Sequence, residues 1–356
     1  MNPILHIDLG KLKNNVAALR EQCGAHGIDI AVVTKVFCAD LPMVETICAE
    51  GPAYLADTRL ENIARYPDLP FKRILLRAPG PGDCDNVVLG CDISLQSEIA
   101  TLDKIGQAAV RYGKRHGVLI MIDMGDLREG IYHANREEIL KTARFASSQN
   151  SLELCGVGVN LTCYGGTIPD EDIMQRFADL AHWLETELRT KFKIISGGNS
   201  SSLDLMAKGG MPKSVNLLRL GESVVRAEET AYQKPLPGLI PDVIILEAIL
   251  VEVQEKPSYP EGSIGLNAFG EKPVFDDKGM RLRGILSLGR QDTDPAGLVC
   301  LDPGAQVLGA SSDHLIVDLS DCGRAYSAGD TLRFSMSYSA ILRGFTSEYV
   351  KRHYIR

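Results

Sequence analysis

Eight short apolar runs recur between Ile28 and Leu220, and most of the stretches between them can hold a helix. The runs are Ile28–Val33, Pro52–Ala56, Arg73–Arg77, Cys91–Leu95, Val118–Asp123, Leu152–Asn160, Lys193–Ser196 and Asn216–Leu220. Runs this short and apolar read as strands covered on both faces, as in parallel sheets. The clearest helical intervals are Ser97–His116, Arg136–Ser148 and Glu171–Arg189. The interval from Arg77 to Cys91 is the weakest, because Pro79-Gly80-Pro81-Gly82 crowds it. Alternation of this kind means βα units, and eight of them predict a closed (β/α)₈ TIM barrel, an α/β fold. An open doubly wound sheet is the alternative, disfavoured because no G-x-G-x-x-G follows the first strand. Ahead of the runs, Asp8 is placed to cap a helix whose Leu12, Val16, Leu19 and Cys23 share one face.

The pattern changes at Gln233-Lys-Pro-Leu-Pro-Gly-Leu-Ile-Pro241, which reads as a linker. Beyond it long helical periodicity disappears. Val243–Val253, Gly284–Leu288, Val299–Leu301, His314–Leu319 and Thr331–Tyr338 read as strands split by turn pairs. The expected organisation is a barrel over residues 1–235 and a C-terminal, mainly β domain over 236–356.

With 356 residues, 45% of them hydrophobic, the chain can build a large core without disulfide or metal staples. The net charge of −8 and the lack of a basic run argue against nucleic acid or an anionic membrane as partner. No secretory signal or membrane span is read, and nine cysteines without a C-x-x-C pair fit reduced thiols in the cytoplasm. Metal-ligand spacing is absent.

Lys35 stands where the first run ends. An isolated lysine there more often snorkels to solvent than works as an amine. Its setting changes that weight. The end of the seventh run reads Ser196-Gly-Gly-Asn-Ser-Ser-Ser202, and the eighth ends in Arg219-Leu-Gly-Glu222. Both are rich in glycine or hydroxyl donors, and the loops after strands 7 and 8 of such barrels often bind phosphate. The plainer account is a pair of capped turns. A lysine beside a phosphate cradle suggests pyridoxal phosphate held as a Schiff base.

At this point the chain resembles the barrel-type (fold type III) pyridoxal-phosphate enzymes of the alanine racemase group, in its alanine/ornithine racemase branch. The strings that carry the resemblance are Val33–Cys38, Met124–Ile131, Gly158–Gly166, Gly197–Ser202, Arg219–Glu222, Gly289–Asp292 and Gly309–His314. The resemblance implies that Lys35 holds the cofactor and acts as base on one face of the substrate. It implies that Asn199, Ser200, Gly221 and Glu222 bind the phosphate, that Arg219 faces the pyridine nitrogen, and that Asn160 lies beneath the ring. Tyr349 is grouped with these cofactor residues. Arg128 falls near the phenolic oxygen and the substrate carboxylate, and Asp313 on a partner subunit's substrate-access loop.

Three departures stand out. Ala39 and Met121 occupy places where the group usually has a phosphate-binding tyrosine and a carbamylated lysine. Arg290 stands in place of the catalytic tyrosine that a partner subunit contributes. Racemisation by two bases needs a proton acceptor on each face of Cα, and arginine is a poor base. The second base is therefore open, with Asp292, Cys163 and Tyr338 as the leading candidates and Tyr164, His314 and Tyr349 behind them. Each also has an ordinary structural reading. Arg290 could instead bind the substrate carboxylate and Asp292 a side-chain ammonium. The expected activity is racemisation of ornithine or a similar basic amino acid by a homodimer with shared active sites. Other specificity (lysine, alanine, serine), or a non-catalytic pyridoxal-phosphate carrier, is the alternative.

Overall fold

The computed structural model describes residues 2–68 and 70–356. The chain divides into two compact units, one formed by Lys11–Pro241 and the other by the residues through Gly10 together with Asp242–Arg356.

Strand β1 (Ile4–Asp8) belongs to the second unit, so the barrel begins at β2. Its strands are β2 (Asp29–Val33), β3 (Tyr54–Asp57), β4 (Lys72–Leu75), β5 (Ile93–Gln96) and β6 (His116–Asp123). The two-residue β7 (Ile131–Tyr132) pairs with β6 alone, and β8 (Leu152–Val159), β9 (Ile194–Ser196) and β10 (Leu217–Leu220) complete the set. All pairings are parallel, in the circular order β2-β3-β4-β5-β6-β8-β9-β10, with β10 returning to β2. The eight expected strands thus close into the expected barrel. Ala31, Val33, Ile93, Leu95, Leu119 and Met121 are among the residues that fill its interior. At Gly156 a Cβ would lie 1.8 Å from the Ile194 carbonyl oxygen, so glycine alone lets β8 and β9 approach as they do.

The outer helices are α1 (Leu9–Ala25), α2 (Leu41–Ala49), α3 (Leu60–Ile63), α4 (Cys84–Gly90), α5 (Ile99–Arg111), α6 (Arg136–Ser148), α7 (Glu171–Leu188), α8 (Leu203–Ala207) and α9 (Glu222–Arg226). The Pro-Gly interval does carry a helix, α4, which starts just beyond its last glycine. On α1 the predicted face of Leu12, Val16, Leu19 and Cys23 is buried, and Asn15 is buried with it. The Asn15 amide donates to the carbonyls of Val224 (3.1 Å) and Ile240 (2.9 Å) and accepts from Ile240 N–H (2.7 Å). Gln22 donates to the Pro237 carbonyl at 2.7 Å and Asn14 to that of Gly238 at 3.1 Å. The proline-rich stretch is therefore a strap laced to α1 rather than a free linker. For that reason the boundary expected at 235/236 falls after Pro241 instead.

The second unit is an antiparallel sheet in the order β13-β16-β11-β12-β15-β14. Its strands are β11 (Ile244–Pro257), β12 (Met280–Leu286), β13 (Leu298–Cys300), β14 (Gln306–Ala310), β15 (Leu315–Asp318) and β16 (Thr331–Met336). Helix α10 (Tyr338–Thr346) and β17 (Lys351–Ile355) follow. Strand β1 adds to this sheet, antiparallel to β11 and parallel to β17. Counting residues 1–10 with the barrel is thus corrected: β1, with Leu5 and Ile7 buried on it, pairs with β11 and β17 of the second unit. Strands β1, β14 and β17 and helix α10 were not expected from the sequence.

Among the described residues no helix is long and apolar enough to cross a membrane, and no group of three or more His, Cys, Asp or Glu could hold a metal ion. The nine cysteines are free thiols.

One buried group makes the fold's stability depend on pH. His116, at the start of β6, is sealed from solvent with its Nε2 2.9 Å from Ser94 Oγ. Burial pushes its pKa down from 6.5 to about 4. The folded value lies below the unfolded one, so the unfolded chain binds more protons below pH 6.5 and stability is lost from there down to about pH 4. The stability difference between wild type and His116→Gln should therefore shift by about 3 kcal/mol against the wild type over that window. Urea denaturation midpoints at pH 7 and pH 4 check this, and a pH-independent difference refutes it.

Candidate active site

Five consecutive strands of the barrel, β6, β8, β9, β10 and β2, deliver the expected site residues at their carboxyl ends. Parallel strands all end on one rim, so residues far apart in sequence meet there.

Lys35 follows β2 directly. Thr34 closes the strand by donating its N–H to the Ala56 carbonyl (2.9 Å), and Lys35–Phe37 form a 3-10 turn. The turn exits through Cys38 (φ 51°) and Ala39 (φ 50°), two successive non-glycine residues in the left-handed region. Such residues cost about 1 kcal/mol or more each and persist where the surroundings fix them. Here Phe37 and Ala39 are buried, Ala39 N–H donates to Thr34 O (3.2 Å), and Asp40 caps α2 through Met43 N–H. Burial pulls the Lys35 amine below the ordinary lysine value. Cys163, Asp57 and Glu129 oppose the shift, and the positive charge of Arg128 reinforces it.

The turns after β9 and β10 face each other. Asn199 accepts from Ser201 N–H (2.8 Å) and donates to Asn160 Oδ1 (2.9 Å), Leu161 O (2.8 Å) and Cys163 Sγ (3.3 Å). Ser200, Ser201 and Ser202 are all buried. The Ser200 hydroxyl reaches Ser223 Oγ (3.0 Å) and accepts from Ser223 N–H (3.3 Å), joining the two turns. A Cβ at Gly221 would press to 3.1 Å on Val33 O, so this turn lies hard against the end of β2. Burial raises the Glu222 carboxyl, against the pull of Arg226.

Arg219 is buried, with its guanidinium bonded to Ser196 Oγ and to the Val159 carbonyl (2.7 Å). Burial brings its pKa down to about 10, still charged at neutral pH. The Asn160 amide is wedged between Asn199 and the Arg128 guanidinium, which pairs with Glu129.

The loop bearing Cys163 is shaped by Asp126, which sequence reasoning missed. This carboxylate is 1% exposed. It accepts from the N–H groups of Cys163 (3.0 Å), Tyr164 (3.0 Å) and Thr167 (3.2 Å), and its own carbonyl accepts from Gly165 (2.9 Å). Cys163 itself is exposed. Asp57 and Thr34 were missed as well. In all three the signal available was a lone polar residue beside an apolar strand end, which many turns share.

The remaining expected residues lie in the second unit, gathered near one turn. Asp292 is buried and accepts from Gly289 N–H (3.1 Å) and Ser347 Oγ (2.9 Å). Arg290 bridges both oxygens of Glu271 (3.1 and 2.9 Å) and stacks 4.2 Å over Phe269. Asp313 bonds Gln291 and Ser312 Oγ (2.8 Å). Tyr349 is exposed, with its N–H donating to Ser347 Oγ at 3.2 Å. Tyr338 opens α10, whose Arg343 reaches the Arg290 carbonyl at 3.2 Å.

The barrel residues fit pyridoxal phosphate. Ser201 Oγ is buried and lacks a hydrogen-bond partner among the described residues. It sits in a cradle of hydroxyls and backbone amides, the donor set a phosphate takes, beside a partly desolvated lysine.

Comparison with known proteins agrees with this geometry. Residues 7–228 match the family model described as "Alanine racemase, N-terminal domain". The chain is 43% identical to an ornithine racemase of Acetoanaerobium sticklandii over 352 residues, 99% of each chain. It is 34% identical to a lysine racemase of Thermotoga maritima over 356 residues, 99% of this chain and 98% of the other. Among solved structures, an alanine racemase of Streptomyces lavendulae superposes with a TM-score of 0.77 at 19% identity, covering 100% of this chain and 97% of that one. One from Bartonella henselae, described with covalently bound pyridoxal phosphate, gives 0.74 at 15% identity and covers 100% of both chains.

Removing the Asp126 carboxylate orphans three amides of the Cys163 loop. Asp126→Ala should make the 161–167 segment at least tenfold more susceptible to limited proteolysis, with little change in far-UV circular dichroism. Unchanged cleavage would show that the loop holds itself.

Proposed function

Since the chain belongs to the alanine racemase family, we propose that it is a pyridoxal-phosphate-dependent amino-acid racemase that interconverts L- and D-ornithine or a similar basic amino acid. One observation carries the reading: the desolvated Lys35 amine shares one barrel rim with the buried Ser200–Ser201 hydroxyls and the Gly221 turn. The near full-length match to an ornithine racemase supports the substrate class, and the lysine racemase match supports a preference that reaches neighbouring basic amino acids.

When bound, pyridoxal phosphate supplies an electron-withdrawing ring that acidifies the α-hydrogen of an attached amino acid. Lys35 Nζ would hold the cofactor and carry the α-proton on one face. Asn199, the Ser200 and Ser201 hydroxyls and the amides of Gly221 and Glu222 would bind its phosphate. Arg219 would serve the ring nitrogen and, being charged, would keep it unprotonated, restraining side reactions such as transamination. Asn160 would support the ring, and Arg128 would receive the substrate carboxylate. For the other face, Cys163 is the leading candidate in the same unit as Lys35, ahead of Tyr164. Its loop follows β8, so the cradle strands β9 and β10 lie between it and β2. Asp292, with both oxygens engaged, and Tyr338 are the rivals. The reading includes a cytoplasmic homodimer in which Arg290 and Asp313 of a second copy reach the site. The free thiols of all nine cysteines support that compartment.

α-Hydrogen exchange in deuterated water over a panel of L- and D-amino acids tests the assignment. Fast exchange of both ornithine enantiomers is expected, slower for alanine, and Lys35→Ala should lose both exchange and the visible absorption of the bound cofactor. A protein that binds the cofactor and exchanges nothing is instead a carrier.

Cys163→Ala should abolish racemisation while exchange from one enantiomer stays within a fewfold of wild type. Equal loss from both enantiomers, or no loss, removes the thiol from this role.

A further inference from the structure

A buried carboxylate behind Lys35 takes no part in the chemistry described above. Asp57 ends β3, the strand beside β2, and is 0% exposed. Its Oδ2 accepts from Thr34 Oγ1 at 2.6 Å. Its Oδ1 accepts from Arg59 N–H at 2.9 Å and Asn62 Nδ2 at 3.1 Å. Tyr66 Oη lies 2.8 Å from the same Thr34 oxygen and is itself buried. Thr34 Oγ1 can thus accept a hydrogen bond from the Tyr66 hydroxyl while donating its own to the carboxylate. Every group that faces Asp57 is a donor, so the set is complete for an ionised carboxylate although burial raises its pKa.

Thr34 is also the anchor of the Lys35 turn. Its carbonyl accepts from Phe37 N–H and Ala39 N–H, both at 3.2 Å, across the two left-handed residues. Strain of that kind needs a fixed point, and the side-chain bond to Asp57 adds to the backbone bond from Thr34 N–H to the Ala56 carbonyl in tying the turn to the barrel wall.

We propose that Asp57 is a positioning residue for Lys35, clamping Thr34 so that the strained turn keeps its shape and placing a fixed negative charge behind the amine. The inference rests on the reading of Lys35 as the cofactor lysine. The other charged or titratable groups that act on that amine are Arg128 and Glu129 after β6, Cys163 after β8 and Glu222 after β10. Asp57 differs from the other two acids. Glu129 is shared with Arg128 and Glu222 lies near Arg226, whereas the hydrogen-bond partners of the Asp57 carboxylate among the described residues are neutral donors. Its charge is undiluted.

Asp57→Asn keeps the shape of the network and removes the charge. An amine forms an imine only when unprotonated, and loss of a nearby negative charge makes it easier to deprotonate. The experiment follows uptake of pyridoxal phosphate by the cofactor-free full-length protein, by visible absorption, at pH 7 and pH 9. The ratio of the rate at pH 7 to that at pH 9 should rise about tenfold in Asp57→Asn. Tyr66→Phe, which leaves the carboxylate in place, should keep the wild-type ratio. An unmoved ratio in folded Asp57→Asn overturns the inference. If that variant does not fold, Thr34→Val is compared with Thr34→Ser at pH 9. Uptake at least tenfold slower in the valine variant supports the clamp, and equal rates overturn it. A wild-type protein that takes up no pyridoxal phosphate overturns the functional reading itself, whereas uptake with an unmoved ratio overturns this inference alone.

Discussion

Two cations are drawn out of water at one end of a closed barrel, and much of the site answers that cost. Taking an unpaired charge into a protein interior costs several kcal/mol unless its surroundings replace the lost water. Arg219 is answered by a hydroxyl and a carbonyl, with no carboxylate hydrogen-bonded to it among the described residues. A guanidinium tolerates this because it stays charged across the physiological range. Lys35 is answered differently, by the negative charges of acids set around it. An amine can give up its proton, so the same desolvation that leaves Arg219 a permanent charge makes Lys35 a reversible one. The contrast between the two neighbouring strands, β2 and β10, gives the site one fixed and one movable positive charge.

The barrel was legible because its signals are local. Each strand from β2 to β10, apart from the two-residue β7, is an apolar run of its own, and α6 and α7 carry both their caps and their apolar faces within one window of sequence. The lysine at the end of β2 and the glycine- and serine-rich turns after β9 and β10 could be placed for the same reason: parallel topology converts sequence order into position on a rim. The second unit was less legible. Strands β14 and β17 alternate weakly and sit partly in solvent, and β1 has partners more than two hundred residues away. Helix α10 follows β16 after a single capping serine, so the apolar run Thr331–Tyr338 hides the change of period.

The polar residues that shape the site were hidden for a related reason. Asp57 and Asp126 are ordinary acids in turn sequence, and only the folded chain shows that each is sealed from water and fully occupied with donors. Their effect is exerted on neighbours, Thr34 and the Cys163 loop, that come from other strands. Proline content misled in the opposite direction. The stretch before Pro241 has linker composition, yet α1 holds it through Asn14, Asn15 and Gln22, since proline leaves its carbonyl free to accept.

The pairing of β1 with β11 and β17 bears on how the molecule is made. A ribosome makes residues 4–8 before the barrel, but their two neighbours in the sheet, residues 244–247 and 351–355, only after it. The barrel, Lys11–Pro241, is an insertion inside the second unit's chain. The barrel can therefore assemble during synthesis while β1 waits with an open edge, and that edge is sealed only when β11 and β17 arrive. Holding the ends of so long an insertion together costs little more than for a short one, because closure entropy grows only with the logarithm of length. The vulnerable period of this protein is thus its birth, when Ile4–Asp8 offers unpaired backbone to any neighbouring chain.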